Sequence, residues 1–136
     1  MIYSINDQGD CMLINIDTLE EIKSVAHEKE FSAWRTKLTP TEFNAIVDYM
    51  NTAIDSILDN NEKIINVTAL ASPSWENTPY DLIYSKACDG YEDLSALFFG
   101  SIAWYVIMHR NERWACGKYN FVKNRDIQGM TYFLVK

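Results

Sequence analysis

The stretch Ser74-Trp75-Glu76-Asn77-Thr78-Pro79-Tyr80 sets a large aromatic ring in a polar loop just before a helix start. Such a ring can form one wall of a ligand pocket. Tyr84 follows Tyr80 by one helical turn and shares its face, and Trp104, Trp114 and Tyr132 line the same cavity if the last strands fold back onto it. The candidate ligand-binding residues are therefore Trp75, Glu76, Tyr80, Tyr84, Trp104 and Trp114. Rings beside a carboxylate suit a small aromatic or cationic ligand, because a cation is drawn to the face of a ring. Aromatic residues also dominate hydrophobic cores, and rings of this kind more often pack a core than line a pocket.

Residues for catalysis are sparse. The chain has two histidines, His27 and His109. His109 can lower the pKa of the Cys116 thiol if a turn brings the two together, although a helix-terminal histidine and a packed cysteine are the simpler reading. His27 reads as a surface residue near the end of the first helix, favoured there by the helix dipole. Glu92 and Asp93 are adjacent and diverge on a helix, while Glu76 and Asp81 flank a helix start where acids are expected anyway. The chain carries no GxSxG elbow, phosphate-binding glycine loop, GxGxxG or HExxH. No catalytic residue is assigned, no cofactor is expected, and no metal site is expected.

A second candidate surface is acidic. Glu42, Asp48, Asp55 and Asp59 share the polar face of one helix with no basic residue between them. Aligned charge on a rigid element can dock a basic protein partner, though a solvated face needs no partner at all. Charge is uneven along the chain: the first 60 residues hold 11 Asp and Glu against 4 Lys and Arg, and the remainder balances. Residues 109–136 are locally basic, but on a chain of net charge −7 this excess is too small to hold phosphate strongly. Neither a nucleic-acid partner nor a membrane is expected.

These residues must be positioned by local elements. Short apolar runs at Ile2–Ile5 and Cys11–Ile16, separated by Asn6-Asp7-Gln8-Gly9-Asp10, predict an N-terminal hairpin. Thr18-Leu19-Glu20-Glu21 has the form of a capping box and predicts a helix running to about Glu30. Thr39-Pro40 opens the clearest helix, in which Phe43, Ile46, Val47, Met50, Ala53, Ile54, Ile57 and Leu58 form one apolar stripe, stopping at Asn60-Asn61. Residues 64–71 read as a central strand, and Thr78-Pro79 opens a third helix ending near Asp89-Gly90.

Leu94 to Met108 is nearly continuous apolar sequence, too short at 15 residues to span a bilayer. It predicts a helix buried on most sides, with Ala96 and Gly100 letting another backbone approach. Trp114 to Val122 and Met130 to Val135 predict a C-terminal hairpin.

The expected fold is one α+β domain over residues 1–136: an antiparallel sheet of two terminal hairpins and a central strand, with about four helices on one face. With 136 residues, 48% hydrophobic, the chain can bury a sizeable core. The start of the sequence lacks a secretory pattern and the three cysteines are unpaired in spacing, so a cytoplasmic protein with reduced thiols is expected. This much apolar sequence also predicts a homodimer, formed through the Leu94–Met108 helix or a sheet edge.

The reading that fits best is a small non-enzymatic binding or interaction module, in the manner of accessory proteins of bacterial mobile elements. It would act through the aromatic pocket or the acidic helix. The alternative is a small enzyme acting on a modest organic substrate, with Glu76, Asp81 or His109 as acid or base.

Overall fold

The computed structural model describes residues 12–71, 74–117 and 130–135. Strands β1 (Met12–Asn15), β2 (Ile64–Asn66), β3 (Arg113–Gly117) and β4 (Thr131–Val135) form one sheet in the order β1-β3-β4-β2. The β3–β4 and β2–β4 pairs are antiparallel, whereas β1 runs parallel to β3 with Leu13 opposite Trp114. The sheet is therefore mixed, which corrects the expected all-antiparallel arrangement. The expected partner run Ile2–Ile5 lies outside the described residues, as does the 118–129 connection of the C-terminal hairpin.

Local chemistry covers the outer edge of β1. The Asn15 side chain accepts from the backbone N–H groups of Asp17 and Thr18, and Leu19 closes the turn in the left-handed region at φ 64°. The chain then returns along β1, with Asn15 N–H donating to Glu20 O and Ile22 N–H to Leu13 O. Thr18 and Glu21 thus belong to a tight reversal, where Thr18 Oγ1 accepts from Glu20 N–H, and not to the helix cap their spacing predicted. The short-range option wins because it satisfies the backbone of an edge strand as well as the turn.

The first helix starts later than expected: α1 spans Glu28–Arg35, with His27 as N-cap at φ 56°. His27 therefore stands at the start of a helix, not at its end. Phe31 and Trp34 face the core from α1.

Helix α2 (Pro40–Asp59) follows the sequence reading closely. Thr39 Oγ1 accepts from Glu42 N–H while Glu42 Oε1 accepts from Thr39 N–H, completing a capping box. Phe43, Ile46, Met50 and Ile54 are buried, Val47, Ala53, Ile57 and Leu58 pack at the margin of the core, and Asp48, Asp55 and Asp59 are exposed.

Strand β2 ends after three residues because the Asn66 side chain accepts from Thr68 N–H and Thr68 Oγ1, turning the chain into a 3-10 helix at Val67–Leu70. The third expected helix is a turn leading into one π-helical segment, Ile83–Ala87, which stops at Asp89 and Gly90, both at positive φ.

Helix α3 (Glu92–Met108) runs through the middle of the molecule and touches α1, α2, the π-helical segment and β1. Phe98, Phe99, Ile102, Ala103, Val106 and Ile107 are buried, but Leu94 and Leu97 are exposed. Gly100 does not receive another backbone: among the described residues nothing lies within 4 Å of where its Cβ would be.

Candidate functional site

A groove of about 330 Å³ is lined by Trp75, Asp81, Tyr84, Glu92, Ser95 and Ala96. Its parts come from three neighbouring elements. Trp75 is held by a turn in which Thr78 donates to Trp75 O through both its backbone N–H (3.0 Å) and its hydroxyl (2.8 Å). The indole is half-buried, tilted against Phe99 at 5.4 Å and edge-on to Tyr80 at 5.8 Å between ring centroids. Asp81 and Tyr84 come from the π-helical region, and Gly90, at φ 81°, folds the chain behind Tyr84 with its N–H donating to Tyr84 O at 2.6 Å. Glu92, Ser95 and Ala96 sit at i, i+3 and i+4 on α3, so they share one face.

The electrostatics of the groove are one-sided. Asp81 accepts from the Ser85 hydroxyl at 3.3 Å, and none of the described ion pairs engages Asp81 or Glu92. Lys86, five residues from Asp81, is committed to Glu42, and Lys37 is committed to Asp89. Two aromatic rings and two carboxylates therefore line a concave surface to which no basic side chain among the described residues contributes.

The sequence-predicted site residues divide sharply. Trp75 and Tyr84 come together in the groove. Tyr80 does not: it is fully buried, donates its hydroxyl to Leu70 O at 3.0 Å, and burial pushes that hydroxyl's pKa far upward. Trp114 is also a core residue, its indole N–H donating to Glu112 Oε1 at 3.1 Å. Trp104 packs against the core from the other half of α3, and Glu76 is exposed and lines neither pocket. Tyr132 is buried in β4, where its hydroxyl, like the indole N–H of Trp104, has no hydrogen-bond partner among the described residues. Glu92 escaped notice as a site residue because it was compared only with its neighbour Asp93. The spacing of Glu92, Ser95 and Ala96 was the signal available.

The acidic face of α2 is less free than its sequence implies. Glu42 is bound by Lys86 at 2.7 and 2.8 Å; that contact and the Thr39 N–H hold its carboxyl below the ordinary carboxylate range. Asp55 accepts from Arg110 at 2.6 Å. Among the four acids proposed for partner binding, Asp48 and Asp59 alone have no such ion pair among the described residues.

Arg110 ties the end of α3 to α2, donating also to Asn51 Oδ1 and to both oxygens of Glu112. Burial opposes the charge on Arg110 and on Glu112, but their mutual hydrogen bonds prevail, raising the guanidinium pKa and lowering the carboxyl pKa. This junction lines a second, polar pocket of about 320 Å³ with Val47, Asn51, Asp55, Tyr105 and His109. All three guanidinium nitrogens of Arg110 donate within the protein, which makes it a clamp between helices.

The His109–Cys116 pairing is not formed. The His109 Nδ1 lies 2.7 Å from Tyr105 O, and its ring is tilted against that of Tyr105. Cys116 is buried, and burial pushes its thiol up to about 11, the opposite of activation. Asp81 and His109, two acid–base candidates, line different pockets. Among the described residues no group of three His, Cys, Asp or Glu side chains is placed to hold a metal, and no helix is long and apolar enough to cross a membrane.

The fold and groove define an α+β chain with a mixed four-stranded sheet and an aromatic–carboxylate groove beside its central helix. No protein-family model, curated protein or solved structure matches it.

Proposed function

We propose that this chain is a small non-enzymatic binding module that takes a cationic group into the groove between Trp75 and Tyr84. One observation carries the reading: the two rings line the same concave surface as Asp81 and Glu92, with no lysine or arginine among the described lining residues. A cation entering there exchanges water for ring faces and carboxylates. Each ring contact contributes about 0.5–2 kcal/mol, depending on how far the cation is desolvated. The carboxylates add attraction that falls with salt.

The test is titration with N-acetyl-lysine methylamide and with phenyltrimethylammonium, read on the indole N–H signal of Trp75 by NMR. Saturable shifts are expected, weakening several-fold in Tyr84→Ala and in the Asp81→Asn/Glu92→Gln double variant while the melting temperature stays within a few degrees. An unmoved Trp75 signal, or equal binding of the neutral analogue N-acetyl-norleucine methylamide, refutes the reading.

A further inference from the structure

Resting on that reading, we infer that the cation is a lysine or arginine side chain carried by an amphipathic segment of a protein partner, whose apolar residues cover the strip of α3 that continues from the groove. The strip begins at Ala96, which lines the groove, and runs through Gly100 to Trp104 at spacings of four residues, with Leu97 alongside, three residues before Gly100. Leu97 is 45% exposed, Trp104 is only partly buried, and the space over Gly100 is open among the described residues. Tyr91, 63% exposed, and Leu94 add apolar surface near the same end of α3.

A free small cation would fill the groove and leave this strip in water, whereas a chain with apolar residues on both sides of a basic one would cover both. Charge selects the kind of partner. Asp81, Glu92 and Asp93 lie in none of the described ion pairs, and the chain carries −7 overall. A nucleic acid is repelled by this surface. A second copy is disfavoured because a two-fold contact sets a patch against itself, and here that places acid against acid. A basic segment gains from every one of these charges, and alternating apolar and basic positions on a helix match a groove edged by an apolar strip.

Three probes separate the outcomes: a capped Leu/Lys amphipathic peptide of about four helical turns, its Leu/Glu counterpart, and N-acetyl-lysine methylamide. Binding is followed on the Trp75 indole and on the backbone amides of Leu97 and Gly100, with sedimentation velocity on the same samples. The Leu/Lys peptide should bind at least tenfold tighter than the single-residue derivative and shift all three signals, and the Leu/Glu peptide should not bind.

Leu97→Ser, an exposed substitution, should remove most of the peptide's advantage and leave the small-derivative affinity unchanged. Equal affinities of peptide and derivative, or a peptide that leaves Leu97 and Gly100 unmoved, overturn this inference while the cation groove stands. A dimer that Leu97→Ser dissolves assigns the strip to a second copy and also overturns it. If neither the peptide nor the derivative moves Trp75, the groove reading itself has failed.

Discussion

Replacing Trp75 with alanine removes a ring that both lines the groove and packs against the core, so two consequences must appear together. The indole contacts Phe99 and Tyr80 at 5.4 and 5.8 Å between centroids. Such aromatic pairs contribute about 0.5–1.5 kcal/mol each beyond the area they bury, and a fully buried Trp→Ala change costs about 3–5 kcal/mol. Because Trp75 is only half-buried, we expect a loss of about 2–3 kcal/mol. For a chain of this length, between the calibrated sizes, each kcal/mol lowers the melting temperature by roughly 3–5 °C. Calorimetry of Trp75→Ala should therefore show a fall of roughly 6–15 °C, with Trp75→Phe intermediate. A change of only a degree or two would mean that the ring does not rest on Phe99 and Tyr80. Cation binding should then be compared in Tyr84→Ala, whose ring is 39% exposed and whose loss separates recognition from stability.

Other perturbations probe different parts of the structure. Ile54→Ala, at a fully buried position on α2, should cost about 2–5 kcal/mol in denaturant unfolding. An unchanged midpoint would contradict the helical phase. Tyr132→Phe deletes a buried hydroxyl with no partner among the described residues, so the variant should be as stable as the parent or slightly more so; a clear loss would reveal a partner. Glu112 ionises more readily in the folded protein, so its contribution is present above the ordinary carboxylate value of 4.5 and is lost as pH falls through the lowered folded value. The melting temperature of Glu112→Gln should accordingly decline less steeply in acid than that of the parent, and parallel curves would refute this. Cys88 and Cys116 are buried with raised pKa values, so iodoacetamide mapped by peptide mass should reach them only after denaturation.

Legibility in the sequence varied with the range of the interactions. Helix α2 was readable because a capping box, a proline at its first turn and an apolar stripe at helical spacing all act within the segment. The C-terminal pairing of β3 with β4 was readable from adjacent β-branched and aromatic runs. The parallel pairing of β1 with β3 was not, since no local pattern records which distant strand lies alongside. Thr18–Glu21 carried a genuine cap signature, but Asn15 and the returning Glu20–Ile22 backbone satisfied the same donors another way. The site was half visible: Trp75 and Tyr84 were named, whereas Tyr80 and Trp114 show that a ring's neighbourhood, not its sequence spacing, decides between core and pocket. Arg110 was missed because its three acceptor residues lie on α2 and just beyond α3.

The parallel seam between β1 and β3 also fixes the order of events during synthesis. Met12 is opposite Arg113, and Ile64 opposite Phe133, so neither early strand can meet its partner until most of the chain has left the ribosome. At about 5–20 residues per second, roughly 5–20 s pass between the appearance of β1 and that of β3. Until α3 follows, α1 and α2 present Phe31, Trp34 and Phe43 without the Phe98 and Tyr105 rings they pack against. A ribosome stalled before Thr131 would therefore hold a chain in which β2 and one side of β3 still await their strand.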